Sequence, residues 1–172
     1  MSLLQKAVYL DRDGTIIIDK VYLSDPAEVE LIQGVGEALA TLSELGYLLV
    51  LITNQSGIGR GLFSEQAVES QHERLQELLA HYNVQLDLVK FCPHKPEDHC
   101  ACRKPSPKML VDAAKILDID LNDSFMIGDK SCDVLAGRRA GCKTILIGSN
   151  SECDADFCVE CLSDAVVILS LL

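Results

Sequence analysis

The sequence predicts an α/β fold with a doubly wound parallel sheet, and three observations support this. Short apolar runs alternate along the chain with amphipathic stretches of helical period. The 172 residues suffice for one substantial core but not for two ordinary domains. Polar clusters directly follow three apolar runs, as expected where a ligand binds beyond the carboxyl ends of parallel strands. We therefore expect one domain spanning residues 1–172.

Five apolar runs are predicted strands, at residues 7–10, 47–53, 86–91, 124–127 and 144–147. Four amphipathic stretches are predicted helices, at about residues 35–45, 64–82, 107–117 and 133–140. Gly46 fits a helix end, Ser64 a helix start and Pro107 a first helical turn. The tail is expected to add an edge strand at 156–159 and a closing helix at 163–171.

Charge and hydropathy exclude several classes of partner. The net charge of −11 argues against a nucleic-acid or anionic-membrane surface, because both need a basic face. No apolar run approaches the roughly 18 residues that a membrane span needs, and the N-terminus does not resemble an export signal. We expect a soluble, cytoplasmic protein without nucleic-acid or membrane partners. A small anionic substrate would need locally convergent cations or backbone amides.

Three polar clusters are expected to meet at one edge of the sheet, since each follows a predicted strand: residues 11–15, 53–56 and 128–130. If the chain turns at Gly14, Asp11 and Asp13 face one pocket, and a divalent cation would relieve their repulsion. Oxygen ligands favour magnesium, and Asp129 offers a third oxygen. The alternative is that residues 11–14 form only a turn after a strand. A turn alone does not explain why all three polar clusters follow predicted strands.

This arrangement suits phosphoryl transfer. Asp11 can attack phosphorus and form an aspartyl-phosphate, which splits one difficult displacement into two easier ones. Asp13 can protonate the leaving alkoxide and then deprotonate the hydrolytic water. The hydroxyl of Thr53, the amides near Asn54 and the ammonium of Lys104 are candidate donors to the phosphoryl oxygens.

A second metal site is predicted in a cysteine-rich loop. Three thiols and one imidazole could complete a closed tetrahedral zinc site, from Cys92, His94, Cys100 and Cys102. The spacing is tighter than in common zinc fingers, so a metal-free thiol-rich loop is the alternative. His99 is expected to be a solvated loop residue. The other cysteines are expected to be ordinary buried or surface thiols, at positions 132, 142, 153, 158 and 161.

Four segments together resemble the successive motifs of the haloacid-dehalogenase phosphatases: residues 11–15, 52–57, 102–105 and 127–133. The resemblance spans nearly the whole core and implies a Rossmann-like sheet. It also implies that Asp11 is the nucleophile, Asp13 the acid and base, and Thr53 and Lys104 the phosphoryl stabilisers. Magnesium would be bound by Asp11, Asp129 and the backbone carbonyl of Asp13, with Asp133 supporting the site.

Within this superfamily the chain resembles the heptose-bisphosphate phosphatases and the similar histidinol-phosphate phosphatases. Both groups carry such a zinc loop before the Arg-Lys-Pro motif, which implies a structural zinc ion that shapes the substrate pocket. Only about forty residues separate Asp13 from Thr53, so no large cap domain fits between them. A zinc ion that holds this loop would also fix the positions of Arg103 and Lys104, which directly follow Cys102, the last of the four predicted ligands.

Selectivity is expected to lie in loops around this open pocket. The predicted substrate-binding residues are Asp19, Lys20, Tyr22, Asn54, Gln55, Ser56, Arg60, Arg103 and Lys130. A bisphosphate needs a second anion site away from magnesium, and Arg103, Lys20 and Arg60 are the cations expected nearby. Plain surface charge is the alternative for Lys20 and Arg60.

The loop ending in Gly59-Arg60-Gly61 resembles the heptose-bisphosphate group, whereas the short gap between His94 and Cys100 fits the histidinol-phosphate group equally well. The leading expectation is removal of the 7-phosphate from D-glycero-D-manno-heptose 1,7-bisphosphate, towards lipopolysaccharide precursors. Histidinol-phosphate hydrolysis is the enzymatic alternative. A zinc-stabilised binding module is the non-enzymatic alternative, which the full set of catalytic residues disfavours. The resemblance also favours a monomer.

Overall fold

The computed structural model describes residues 4–148 and 154–172, and it contains a six-stranded parallel sheet in the order β3-β2-β1-β4-β5-β6. The strands are β1 (Ala7–Leu10), β2 (Leu48–Asn54), β3 (Leu88–Cys92), β4 (Phe125–Gly128), β5 (Lys143–Ile147) and β6 (Phe157–Val159). The helices are α1 (Val35–Glu44), α2 (Ser56–Gly59), α3 (Glu65–Ala80), α4 (Lys108–Leu117), α5 (Ser131–Ala140) and α6 (Leu162–Ser170). The predicted α/β class is confirmed. Cys153 lies outside the described residues.

Strand β1 lies at the centre of the sheet and is buried on both faces, which explains its uninterrupted apolar sequence. Its side chains alternate between two cores. Val8 and Leu10 pack in the core beneath α1, α3 and α6, whereas Ala7 and Tyr9 pack in the core beneath α4 and α5. The two layers hold the strand rigidly, so the residue that follows it has a fixed position.

The predicted helix boundaries hold closely, with two differences. Ser64 caps α3 as expected, its hydroxyl accepting a bond from the amide of Ala67 at 3.2 Å. Helix α5 begins at Ser131, two residues before the expected start, because the Asp133 carboxylate caps its first turn through the Lys130 amide at 3.1 Å. Residues 56–59, predicted as loop, form the short helix α2, which the Arg60 amide closes on the Ser56 carbonyl at 3.0 Å.

The insertions between strands are small. A short 3₁₀ turn, Pro26–Glu28, and α1 occupy the connection from β1 to β2, and a second 3₁₀ turn, Pro96–Asp98, lies in the cysteine-rich loop. Over the described ranges, 4–148 and 154–172, no large cap domain interrupts the sheet. Within the same ranges no helix has the length and apolarity needed to cross a membrane.

Candidate active site

A cleft of about 260 Å³ lies at the carboxyl edge of the sheet, where β1, β2 and β4 end. The chain runs from β1 to β2 on one side and returns to β4 on the other, so this edge is the switch point of the sheet. Asp11 directly follows β1, and its amide donates to the carbonyl of Ile127 in β4 at 3.0 Å. The convergence predicted for the three polar clusters is therefore present.

Three carboxylates converge beside this cleft, and two of them, Asp11 and Asp133, line it. One carboxylate oxygen from each residue lies within 4.8 Å of the other two, in the group Asp11, Asp129 and Asp133. The pKa of Asp129 is raised to about 7, mainly by burial and also by the adjacent Asp11 carboxylate. Its Oδ1 atom is buried and accepts no hydrogen bond from the residues that the structure describes, with the Lys130 ammonium 3.9 Å away. An unsatisfied oxygen among crowded carboxylates fits a hard divalent cation such as magnesium.

Gly14 permits this crowding. Its φ is +83°, which an L side chain rarely adopts, and an added Cβ would collide with the Asp129 carboxylate. The turn at Gly14, on which the shared pocket of Asp11 and Asp13 depended, is thus present.

Lys104 is a buried cation between two of the carboxylates. Its ammonium contacts Asp11 Oδ1 and Asp133 Oδ1, each at 2.7 Å, and donates to the Ile52 carbonyl at 2.8 Å. Burial alone would lower the pKa of Lys104, but the carboxylates of Asp11 and Asp133 outweigh it and raise the pKa above its usual value. Lys104 is therefore charged at neutral pH and offsets the carboxylates it touches.

The loop that carries Lys104 is fixed by one side chain from the end of β2. Asn54 Oδ1 accepts from the Lys104 amide at 3.0 Å, and Asn54 Nδ2 donates to the Lys104 carbonyl at 3.1 Å. This pair of bonds mimics a strand ladder and sets the position of the lysine backbone.

Asp13 also lines the cleft, with its side chain 18% exposed. Its carboxylate accepts bonds from Arg12 at 3.1 and 3.2 Å and from Gln55 Nε2 at 2.9 Å. Gln55 Nε2 also donates to the hydroxyl of Thr53 at 2.8 Å. The Thr53 side chain, predicted to face a phosphoryl group, is buried and is not among the described residues that line the cleft.

Most of the predicted substrate-binding residues line this cleft: Asp19, Tyr22, Asn54, Gln55, Ser56, Arg103 and Lys130. Lys20 and Arg60 are absent from the part of the lining that the structure describes. Lys20 Nζ lies 3.5 Å from Glu30 and donates to the Glu28 carbonyl at 2.8 Å, and Arg60 lies 3.7 Å from Glu97. Both cations thus lie beside glutamates, and sequence spacing does not reveal these pairings.

The cysteine-rich loop brings its four predicted ligands together, with donor atoms 3.0 to 3.7 Å apart in the contacts that join Cys92, His94, Cys100 and Cys102. Donors at about 2.0 to 2.3 Å from one tetrahedral ion are separated by similar distances, so the cluster fits zinc. His99 is exposed and is not part of it. Arg103 donates to the His94 carbonyl at 3.2 Å, which ties the cleft to the loop.

Three buried polar residues had no role predicted from the sequence, and they connect to Asp13 through Arg12: Arg12, Gln71 and His72. The two α3 residues fall on the helix's buried stripe, whose other members are Val68, Leu75 and Leu79. Polar side chains on an otherwise apolar stripe are the signal that could have identified them. Cys132 also lines the cleft, and burial raises its pKa to about 11, so it is a neutral thiol rather than a nucleophile.

Comparison with known proteins gives concordant matches. The family model described as HAD-hyrolase-like matches residues 101–167. D-glycero-beta-D-manno-heptose-1,7-bisphosphate 7-phosphatase of Helicobacter pylori (strain J99) is 49% identical over 83% of this chain and 82% of its own. The protein of that name from Haemophilus ducreyi is 44% identical over 94% and 97%. The crystal structure of D,D-heptose 1,7-bisphosphate phosphatase from B. bronchiseptica, complexed with magnesium and phosphate, has a TM-score of 0.89 at 33% identity, covering 96% of this chain and 98% of that one.

Proposed function

This chain belongs to the haloacid-dehalogenase-like family of D-glycero-beta-D-manno-heptose-1,7-bisphosphate 7-phosphatases, and we propose that it hydrolyses the 7-phosphate of that bisphosphate. It is a magnesium-dependent phosphomonoester hydrolase. The relatives' name favours this reaction over histidinol-phosphate hydrolysis. The observation that carries the proposal is the Asp11 carboxylate at the base of the cleft, aligned by the buried ammonium of Lys104.

Asp11 is the nucleophile in this account. The Lys104 ammonium donates to one oxygen of the Asp11 carboxylate at 2.7 Å and so orients the carboxylate. The other carboxylate oxygen is left towards the cleft. The same ammonium offsets charge as the phosphoryl group approaches. Asp11 and Asp129, with the backbone carbonyl of Asp13, would hold magnesium, which when bound supplies charge neutralisation at the phosphoryl oxygens.

Asp13 is the general acid and base. Its partly exposed carboxyl group lines the cleft, and in this proposal it protonates the leaving sugar oxygen as the phosphorus–oxygen bond breaks and later deprotonates water. Gln55 supports Asp13 directly and also donates to the hydroxyl of Thr53, which stays the proposed donor to the phosphoryl group. Asp133 is assigned a supporting role, since its oxygens accept bonds from Lys104 and from the Lys130 amide and so hold the lysine beside Asp11.

The second phosphate of the substrate is assigned to Arg103 and Lys130. The other described cations that line the cleft, Arg12 and Lys104, pair with Asp13 and Asp11. Lys130 lies 3.5 Å from Asp19 across the cleft, and an incoming phosphate would compete for that ammonium. Arg103 is suited to bidentate phosphate contact. Lys20 and Arg60 are left out of this assignment because neither is among the described residues that line the cleft.

The cysteine-rich loop binds a structural zinc ion in this proposal. Four protein donors leave no open position for water, which is typical of structural rather than catalytic zinc. The substrate partner is a phosphorylated sugar. A cytoplasmic location and a monomeric state complete the proposal; the monomer is carried over from the resemblance to compact phosphatases that lack a large cap domain.

The test is kcat/KM for heptose 1,7-bisphosphate beside histidinol phosphate, under identical conditions with magnesium. We expect a preference of about a hundredfold for the bisphosphate, near 2.7 kcal/mol of transition-state discrimination. Arg103→Ala should erase most of that preference. Equal or reversed preference would contradict the proposed substrate and favour histidinol-phosphate hydrolysis.

A further inference from the structure

The carboxylate of Asp13 is held by a guanidinium that is itself almost fully buried. Arg12 is 1% exposed, and its Nε and Nη2 groups donate to the two oxygens of Asp13 at 3.1 and 3.2 Å. Two parallel bonds of this kind fix the plane and direction of a carboxylate. Asp13 therefore depends on whatever holds Arg12 in place.

Helix α3 holds it through two adjacent polar side chains. Arg12 Nη1 donates to Gln71 Oε1 at 2.9 Å and contacts His72 Nε2 at 3.3 Å. Because arginine has no acceptor, His72 Nε2 must be the unprotonated acceptor in that contact. Burial lowers the pKa of His72 to about 3, and Arg12 lowers it as well, so the imidazole is neutral at physiological pH.

Gln71 connects this network to the cleft wall. Its Nε2 donates to the carbonyl of Leu23 at 2.9 Å, and Leu23 lines the cleft with Val21 and Tyr22. Four donor hydrogens of Arg12 are thus engaged by Asp13, Gln71 and His72, all within the described part of the chain. A buried guanidinium with these partners has little freedom to move.

We propose that Arg12, Gln71 and His72 are positioning residues for acid–base catalysis, in which α3 orients the guanidinium and the guanidinium orients Asp13. This inference rests on the proposed function, because it assumes that Asp13 protonates the leaving group. The Asp13 proton passes to the ester oxygen as the phosphorus–oxygen bond breaks and Asp11 takes the phosphoryl group. A misdirected Asp13 therefore penalises poor leaving groups most.

The test compares two substrates in His72→Leu and His72→Gln. The sugar phosphate releases an alkoxide that needs a proton, whereas p-nitrophenyl phosphate releases a stable phenolate. We expect His72→Leu to lower kcat/KM at least about tenfold for the bisphosphate but less than about threefold for the aryl ester. His72→Gln, which keeps an acceptor for Arg12, should retain most activity on both. Arg12→Lys, which loses the two-pronged contact, should show the same selective loss.

Leu79→Ala is the matched control, since Leu79 is buried on the same helix two turns from His72 and outside the Arg12 network. It should leave the ratio of the two kcat/KM values unchanged. Equal loss on both substrates in His72→Leu and Arg12→Lys would overturn the positioning role. If Asp11→Asn in parallel kept wild-type activity, the proposed function would fail instead, and the inference with it.

Discussion

Asp11→Asn is expected to abolish phosphate release, with kcat falling on the order of 10⁴-fold or more. The amide nearly matches the carboxylate in shape but is far too weak a nucleophile to attack phosphorus. Steady-state assays with magnesium and the heptose bisphosphate measure the effect. Rapid acid quench of the wild type with labelled substrate should trap an acid-stable phosphoryl group on the chain, and the variant should trap none.

Asp112→Asn is the control for this experiment. Asp112 pairs with Lys108 at 2.8 Å on the exposed side of α4, away from the cleft, so its loss should leave kcat unchanged. Retention of more than about a tenth of wild-type activity by Asp11→Asn would exclude Asp11 as the nucleophile.

Cys102→Ser is expected to release zinc, lower the melting temperature by about 10 °C or more, and reduce kcat/KM. Structural zinc contributes on the order of 10 kcal/mol in small domains, and about 1 kcal/mol corresponds to 2–4 °C in a domain of this size. Activity should fall because Arg103 and Lys104 directly follow Cys102, and Arg103 bonds to the backbone of the ligand His94. Elemental analysis and thermal unfolding of the purified protein measure both effects.

Cys158→Ser controls for the loss of a thiol, because Cys158 is an exposed free cysteine outside the four-ligand cluster. It should keep about one zinc ion per chain and the wild-type melting temperature. Zinc-free wild-type protein that unfolds at the same temperature as the zinc-loaded form would contradict a structural role for the ion.

The elements and the position of the cleft could be predicted from the sequence because their signals are local. Apolar runs buried on both faces identify the strands, and Ser64 identifies the start of α3. The residues after β1, β2 and β4 had to converge once the strands were parallel. The spacing of the four predicted zinc ligands, together with the family resemblance, predicted the cluster that Cys92 forms with the other three.

What could not be predicted depends on partners far apart in the sequence. Lys20 and Arg60 lie beside Glu30 and Glu97 and outside the described cleft lining, and no motif encodes those pairings. Arg12 reaches Gln71 and His72 across about sixty residues, so its role required the packing of α3 on the sheet. Helix α2 was missed because its four residues are too few for a periodic pattern and include two glycines.

The most direct test of the central claim is the identity of the phosphate that is lost from heptose 1,7-bisphosphate. Phosphorus NMR of the reaction distinguishes the anomeric phosphate from the primary 7-phosphate. We expect the 7-phosphate signal to be replaced by inorganic phosphate while the anomeric signal remains, leaving heptose 1-phosphate. Loss of the anomeric phosphate first, or no magnesium-dependent release at all, would contradict the account.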